Sequence, residues 1–168
     1  MIRSLKYAKN LDESKITKEY VVQLKTSTLQ RRNQIEKENS DKGNYWRALA
    51  DMTERYGEGA CPELSAVGFK YGREHFPDTN VEIYKIKGGG HVLLVVGRDK
   101  SSLPDDYSSW ETPTVICDTW ADEYFPVSQM TNSLRDYKGT KPPLNWEALT
   151  EPFCPETQSL SCVLSAFK

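Results

Sequence analysis

Long hydrophobic runs, paired cysteines and histidines are what this 168-residue chain has least of. No apolar stretch approaches the ~20 residues that cross a bilayer as a helix. The opening Met1-Ile-Arg-Ser-Leu-Lys6 has no secretory apolar segment. A soluble protein that bypasses the general secretory route is expected, cytoplasmic in the cell that makes it. The four cysteines, Cys61, Cys117, Cys154 and Cys162, contain no C-x-x-C pair, and two histidines are all that is available to help them. That spacing excludes zinc ribbons and dithiol redox motifs, and no metal or other cofactor is expected. A disulfide scaffold is also unexpected at this size and start, so Cys117, Cys154 and Cys162 read as buried or half-buried reduced thiols. Charge of one sign is missing too: 22 basic against 24 acidic side chains leave a net charge of −2. This balance argues against nucleic acid as a partner, and no membrane partner is expected either.

What is present suffices for one domain with a real core. Hydrophobic residues make up 38% and aromatics 11% of the chain, which disfavours wholesale disorder. The charge is unevenly spread. Residues 1–43 hold ten Lys/Arg against six Asp/Glu, and the remainder is acidic. The basic N-terminus reads as a solvated helix face, with docking of a partner as the second reading.

Helical spacing runs from Asp12, a capable N-cap, to about Glu38, through Ile16, Tyr20, Val21, Leu24, Leu29 and Ile35. Trp46, Leu49, Met52, Thr53 and Tyr56 mark one face of a second helix. After Gly57-Glu58-Gly59, the pair Cys61-Pro62 opens a third, because proline is favoured at the first helical position. Cys61 would then be the N-cap of a helix reaching about Glu74, with Ser65, Gly68 and Gly72 continuing a stripe of small residues. Such a stripe allows close approach to a sheet, and the helix is expected to be central.

The period then changes to that of strands. Val81–Ile86 alternates, His91–Val96 is almost wholly apolar, and Pro113–Cys117 is a third strand. Residues 99–112 read as a polar surface loop, with Tyr107 and Trp110 as candidates for substrate recognition. Residues 139–159, rich in proline, read as irregular. Helices followed by strands give an α+β class: N-terminal helices with a central helix packed on an antiparallel sheet. We divide the expected single domain into a helical extension (1–43), a core (44–126) and a C-terminal segment (127–168).

Three residues stand where nucleophilic chemistry needs them: Cys61 at a helix start, His91 at a strand start and Asp118 at a strand end. The positive end of a helix favours thiolate. An imidazole accepts the thiol proton and later delivers it, and an acid behind it fixes the ring. Each residue alone has a plain structural reading, as a buried thiol, a satisfied histidine and a turn former; the conjunction carries the argument. His75 is the rival base, but fourteen residues along the same helix put it roughly 21 Å from Cys61. Gly88-Gly-Gly90 lacks the Lys and Ser/Thr of a phosphate loop. It reads either as a turn or as room for a substrate main chain beside His91.

Gly59-Ala60-Cys61 before a helix, Gly90-His91 before an apolar strand, and Cys117-Asp118-Thr119-Trp120 together resemble the papain-like and transglutaminase-like cysteine hydrolases. The likeness spans about residues 44–126 and is greatest to compact bacterial effector and toxin enzymes that deamidate or cleave host proteins. It implies Cys61 as nucleophile, His91 as general base and acid, Asp118 as orienter, and Trp120 as a shield over the His–Asp pair. Thr119 stands where the family carries proline, and no glutamine precedes Cys61. The Cys61 N–H and Tyr56 are therefore the oxyanion donors to consider. The implied activity is amide hydrolysis through a thioester, deamidating glutamine in a protein or peptide substrate or cleaving it, with transglutamination if an amine replaces water. Translocation into a host by a specialised secretion system would fit that likeness. A cell-wall peptide amidase and a non-catalytic binding module are the alternatives.

Overall fold

The computed structural model describes residues 17–39, 42–86, 91–130 and 146–150. Helix α1 (Lys18–Glu38) starts at Thr17, whose hydroxyl accepts the Tyr20 N–H at 3.1 Å. Thr17 is thus the cap; Asp12 lies outside the described residues. Among the described side chains of α1 only Thr28 and Ile35 are buried, and Val22 and Leu29 are exposed. α2 (Lys42–Tyr56) buries Trp46, Leu49, Ala50 and Thr53, an i, i+3, i+4, i+7 face; of the face expected, Met52 is only half-buried and Tyr56 is exposed, because the buried stripe is centred nearer Ala50. α3 (Cys61–His75) begins one residue earlier than its sequence implies, with Ala60 as N-cap, Cys61 as the first helical residue and Pro62 as the second.

Five strands follow: β1 (Val81–Ile86), β2 (Val92–Val96), β3 (Val115–Asp118), β4 (Glu123–Pro126) and β5 (Trp146–Ala148). They form one sheet in the order β4-β3-β2-β1-β5, every pair antiparallel. The α+β class and the antiparallel sheet are as expected. β5 corrects the irregular reading of 139–159, because Trp146–Ala148 adds to β1 with Ala148 opposite Tyr84. Three residues are too few to show a period, and their pairing comes from a distant partner. Thr150 secures it by accepting the Ile83 N–H at 2.9 Å.

Both faces of the sheet are covered, which is why β2 reads as unbroken apolar sequence. Val81, Ile83, Val92, Leu94, Val96 and Cys117 pack beneath α2 and α3. Tyr84, Ile86, Leu93, Val95, Ile116 and Phe125 form a second core with Val127, Met130 and Trp110. Trp110 therefore corrects the surface reading of 99–112. It is 4% exposed, its indole N–H donates to the Leu103 carbonyl at 2.7 Å, and its ring meets Tyr84 edge-on at 5.0 Å. The same loop is tied down by Arg98, which grips the buried Glu82 carboxylate through Nε and Nη2, each at 2.8 Å. Its Nη1 donates to the Ser102 carbonyl at 2.7 Å.

Trp110→Ala is expected to cost about 3–5 kcal/mol, as for other buried aromatics. Urea unfolding followed by circular dichroism measures it; a change within ~0.5 kcal/mol, the surface range, would return Trp110 to the surface.

Candidate functional site

The close packing of α3 on the sheet brings the three residues together. A Cβ on Gly68 would stand 2.5 Å from Leu94 Cδ1, so glycine lets this turn of the helix lie directly on β2. One turn earlier, Ser65 Oγ lies 3.3 Å from the Val92 carbonyl and 3.4 Å from Thr119 Oγ1. Cys61, one turn earlier again, is carried to the sheet end where β2 starts. Because Leu94 pairs with Cys117 in an antiparallel register, that is also the end where β3 finishes. His91 directly precedes β2 and Asp118 closes β3.

Asp118 is held from both sides. Its Oδ1 accepts the N–H groups of Trp120 at 3.1 Å and Ala121 at 3.0 Å, and its Oδ2 lies 2.8 Å from His91 Nε2. His91 and Asp118 are each 2% exposed, while Cys61 is half-buried. The Cys61 side chain hydrogen-bonds the same imidazole. With Nε2 engaged by the carboxylate, Nδ1 is the ring nitrogen left for sulfur. Trp120 meets the His91 ring edge-to-face, with centroids 6.3 Å apart.

Burial alone would lower the His91 pKa. Hydrogen bonds to Asp118 and Cys61, and the charges of both, outweigh it and push the pKa up to about 9. The ring is therefore an imidazolium at neutral pH. Burial pushes the thiol of Cys117, in the core beneath α3, up to about 12. The two thiols differ in setting, Cys61 against the His91 imidazole and Cys117 among aliphatic side chains.

The start of α3 is braced by a residue whose importance the sequence reading missed. Glu63 has no exposed surface. Its carboxylate accepts the Ala60 N–H at 2.8 Å and is gripped at two points by Arg32 of α1, with Nη2 to Oε2 at 2.7 Å and a second bond from Nε to Oε1. A Cβ on Gly59 would fall 2.4 Å from the Glu63 Cβ, so the preceding loop needs glycine there. Arg31 adds a bond to Glu58 at 3.0 Å. A glutamate three residues after the N-cap was the available signal, hidden because Ala60 lacks the hydroxyl that usually announces a capping box.

The remaining expected site residues divide. Trp120 is at the site. Trp110 belongs to the second core, on the sheet face away from α3. Tyr56 is 54% exposed, beneath the Arg31 guanidinium at 4.7 Å, a solvated position unlike that of a buried oxyanion donor. Gly90, with Gly88 and Gly89, lies outside the described residues, as do Cys154 and Cys162. His75 ends α3 stacked on Tyr71, fourteen residues from Cys61. Among the described residues no cluster of His, Cys, Asp and Glu is placed to hold a metal, and no helix is long and apolar enough to cross a membrane.

No family model, curated protein or solved structure matches this chain.

The raised His91 pKa has a direct readout. The ring is protonated below about pH 9 and loses its proton as pH rises through that value. In the proton NMR spectrum its carbon-bound protons should titrate there, and Asp118→Asn, which removes the carboxylate charge, should move the midpoint down. A midpoint near ~6.5 in both proteins would show that the pairing does not hold in solution.

Proposed function

We propose that the protein is a cysteine-dependent amide hydrolase using Cys61, His91 and Asp118. The observation that carries this reading is the continuous hydrogen-bonded chain from the anchored Asp118 carboxylate through His91 to the Cys61 sulfur, at the start of a helix. Inert buried cysteines have no reason to share a histidine with a carboxylate. The reading also draws on the sequence likeness to papain-like and transglutaminase-like hydrolases, for which a helix start facing an antiparallel sheet edge is the expected layout.

In the proposed reaction, Cys61 Sγ attacks the amide carbonyl carbon and the C=O electron pair moves onto oxygen. The Cys61 N–H, in the first turn of α3, is an oxyanion donor; first-turn amides find their acceptors outside the helix. Collapse of the intermediate breaks the C–N bond as the imidazolium of His91 gives its proton to the departing nitrogen. Ammonia or an amine leaves and the acyl group remains as a thioester. The now neutral His91 takes a proton from water, hydroxide adds to the thioester, and the C–S bond breaks to release the acid. Asp118 holds the ring throughout and stabilises its charged form. We favour a glutamine side chain of a protein as the substrate amide, with peptide cleavage as the second reaction of the same site.

Iodoacetamide alkylation of each cysteine, resolved by mass spectrometry, tests the pair. Cys61 should react near pH 6 while Cys117 does not, and His91→Ala should slow Cys61 there by about tenfold or more. Equal Cys61 rates in the two proteins would overturn the reading. Given that pair, ammonia release from a protein substrate should require Cys61 and vanish in Cys61→Ala.

A further inference from the structure

The first turn of α3 contains a difficulty that the fold resolves from outside. Glu63 is a carboxylate shut off from water, two residues from Cys61 in the same helical turn. Its geometric role is clear: it accepts the Ala60 N–H and fixes the chain entering the helix. Its charge works against the neighbouring sulfur, because an anion in a poorly screened site disfavours a second anion beside it. The residue that answers this charge comes from α1, a helix with little burial of its own.

We propose, resting on the hydrolase reading above, that Arg32 is a positioning residue for Cys61, its guanidinium cancelling the buried Glu63 charge in the turn that carries the sulfur. The two-point geometry suits this task, since a guanidinium matches both carboxylate oxygens at once. Arg32 also lies close enough to Cys61 to respond to its charge. Burial lowers the Arg32 pKa, and the bond to Glu63, followed by the charges of Glu63, Tyr45 and Cys61, more than restores it. The ionisable groups around the sulfur are then His91 and Asp118 at the strand ends, Glu63 on its own helix and Arg32 on α1. Among the described residues, Tyr45 on α2 bears on Arg32, and the Glu58–Arg31 pair lies in the loop before the turn. On this view the basic helix acts inward, through Arg31 and Arg32, to prepare the nucleophile.

A structural brace and a charge-neutralising one respond differently to removal of either partner. Arg32→Gln leaves the Glu63 anion uncompensated, so Cys61 alkylation near pH 6 should fall about five- to tenfold, with a much smaller change near pH 9. Glu63→Gln removes the anion and leaves the cation, so Cys61 should react at the wild-type rate or faster. Arg32→Lys, which keeps the charge, should recover most of the loss. Circular dichroism of the full-length variants establishes that each is folded. Parallel slowing of Arg32→Gln and Glu63→Gln, or a wild-type pH profile in Arg32→Gln, would overturn the proposal. Should Arg32→Gln fail to fold, Glu63→Gln decides alone: an undiminished rate supports it and slowing overturns it. Failure of the hydrolase reading is seen separately, as equal rates in wild type and His91→Ala.

Discussion

The approach of α3 to β2 through Gly68 is the constraint from which the rest of the site follows. A helix held off by ordinary side chains would place its first residue several ångströms from the strand ends. Here the backbone lies on Leu94, Ser65 reaches the Val92 carbonyl, and Cys61 arrives at the His91 imidazole. The antiparallel register of β2 and β3 then settles the remaining position, since it brings Asp118 to the same sheet end. Close packing fixes such distances because interiors do not deform continuously. The second core, with Trp110 and Met130, backs the sheet from the other side and leaves that end as the place where helix, strands and the turn after Asp118 converge.

Three buried carboxylates show how differently the fold uses the same device. Glu82, Glu63 and Asp118 each face a cationic side chain and each also accept an N–H group, from the Asn80 side chain, the Ala60 backbone and the Trp120 and Ala121 backbone respectively. Such pairs survive burial only when the remaining lone pairs are satisfied, as they are here. Glu82–Arg98 anchors the loop after β2 to strand β1. Glu63–Arg32 braces a helix start. Asp118–His91 differs from both in one respect: its cationic partner has a second nitrogen, and a sulfur faces it. A guanidinium cannot give up its proton at physiological pH, whereas an imidazolium can.

Much of this was legible in the sequence, for identifiable reasons. The three helices and the first three strands announce themselves by period, and the small stripe from Ser65 to Gly68 announced the close packing. Cys61, His91 and Asp118 were legible because each sits beside a punctuation mark of secondary structure. What was not legible depends on contacts between distant residues. Trp110 sits in a polar stretch with no period, so its burial under the sheet left no local trace. β5 is too short to carry a pattern. Arg32 looks like any basic residue of a solvated helix, and Tyr56 like a neighbour of Cys61 in sequence, until the tertiary structure turns one inward and the other out.

The raised His91 pKa bears on the order of events in the proposed reaction. With the imidazolium favoured at neutral pH, the ring begins as the acid, and the proton that the departing nitrogen needs is already in place. Amide hydrolysis is limited by the poor leaving nitrogen more than by attack, so a site that starts with a charged ring addresses the harder step first. The cost falls on the second half, which needs a neutral ring to draw a proton from water. That ring becomes available because the first half consumes the proton and the sulfur, bound as thioester, no longer contributes the negative charge that helps hold it. Asp118 remains, so the ring keeps its orientation while its basicity adjusts to each half of the cycle. In the proposed reaction, the same interactions that bury the pair would supply an acid before acylation and a base after it.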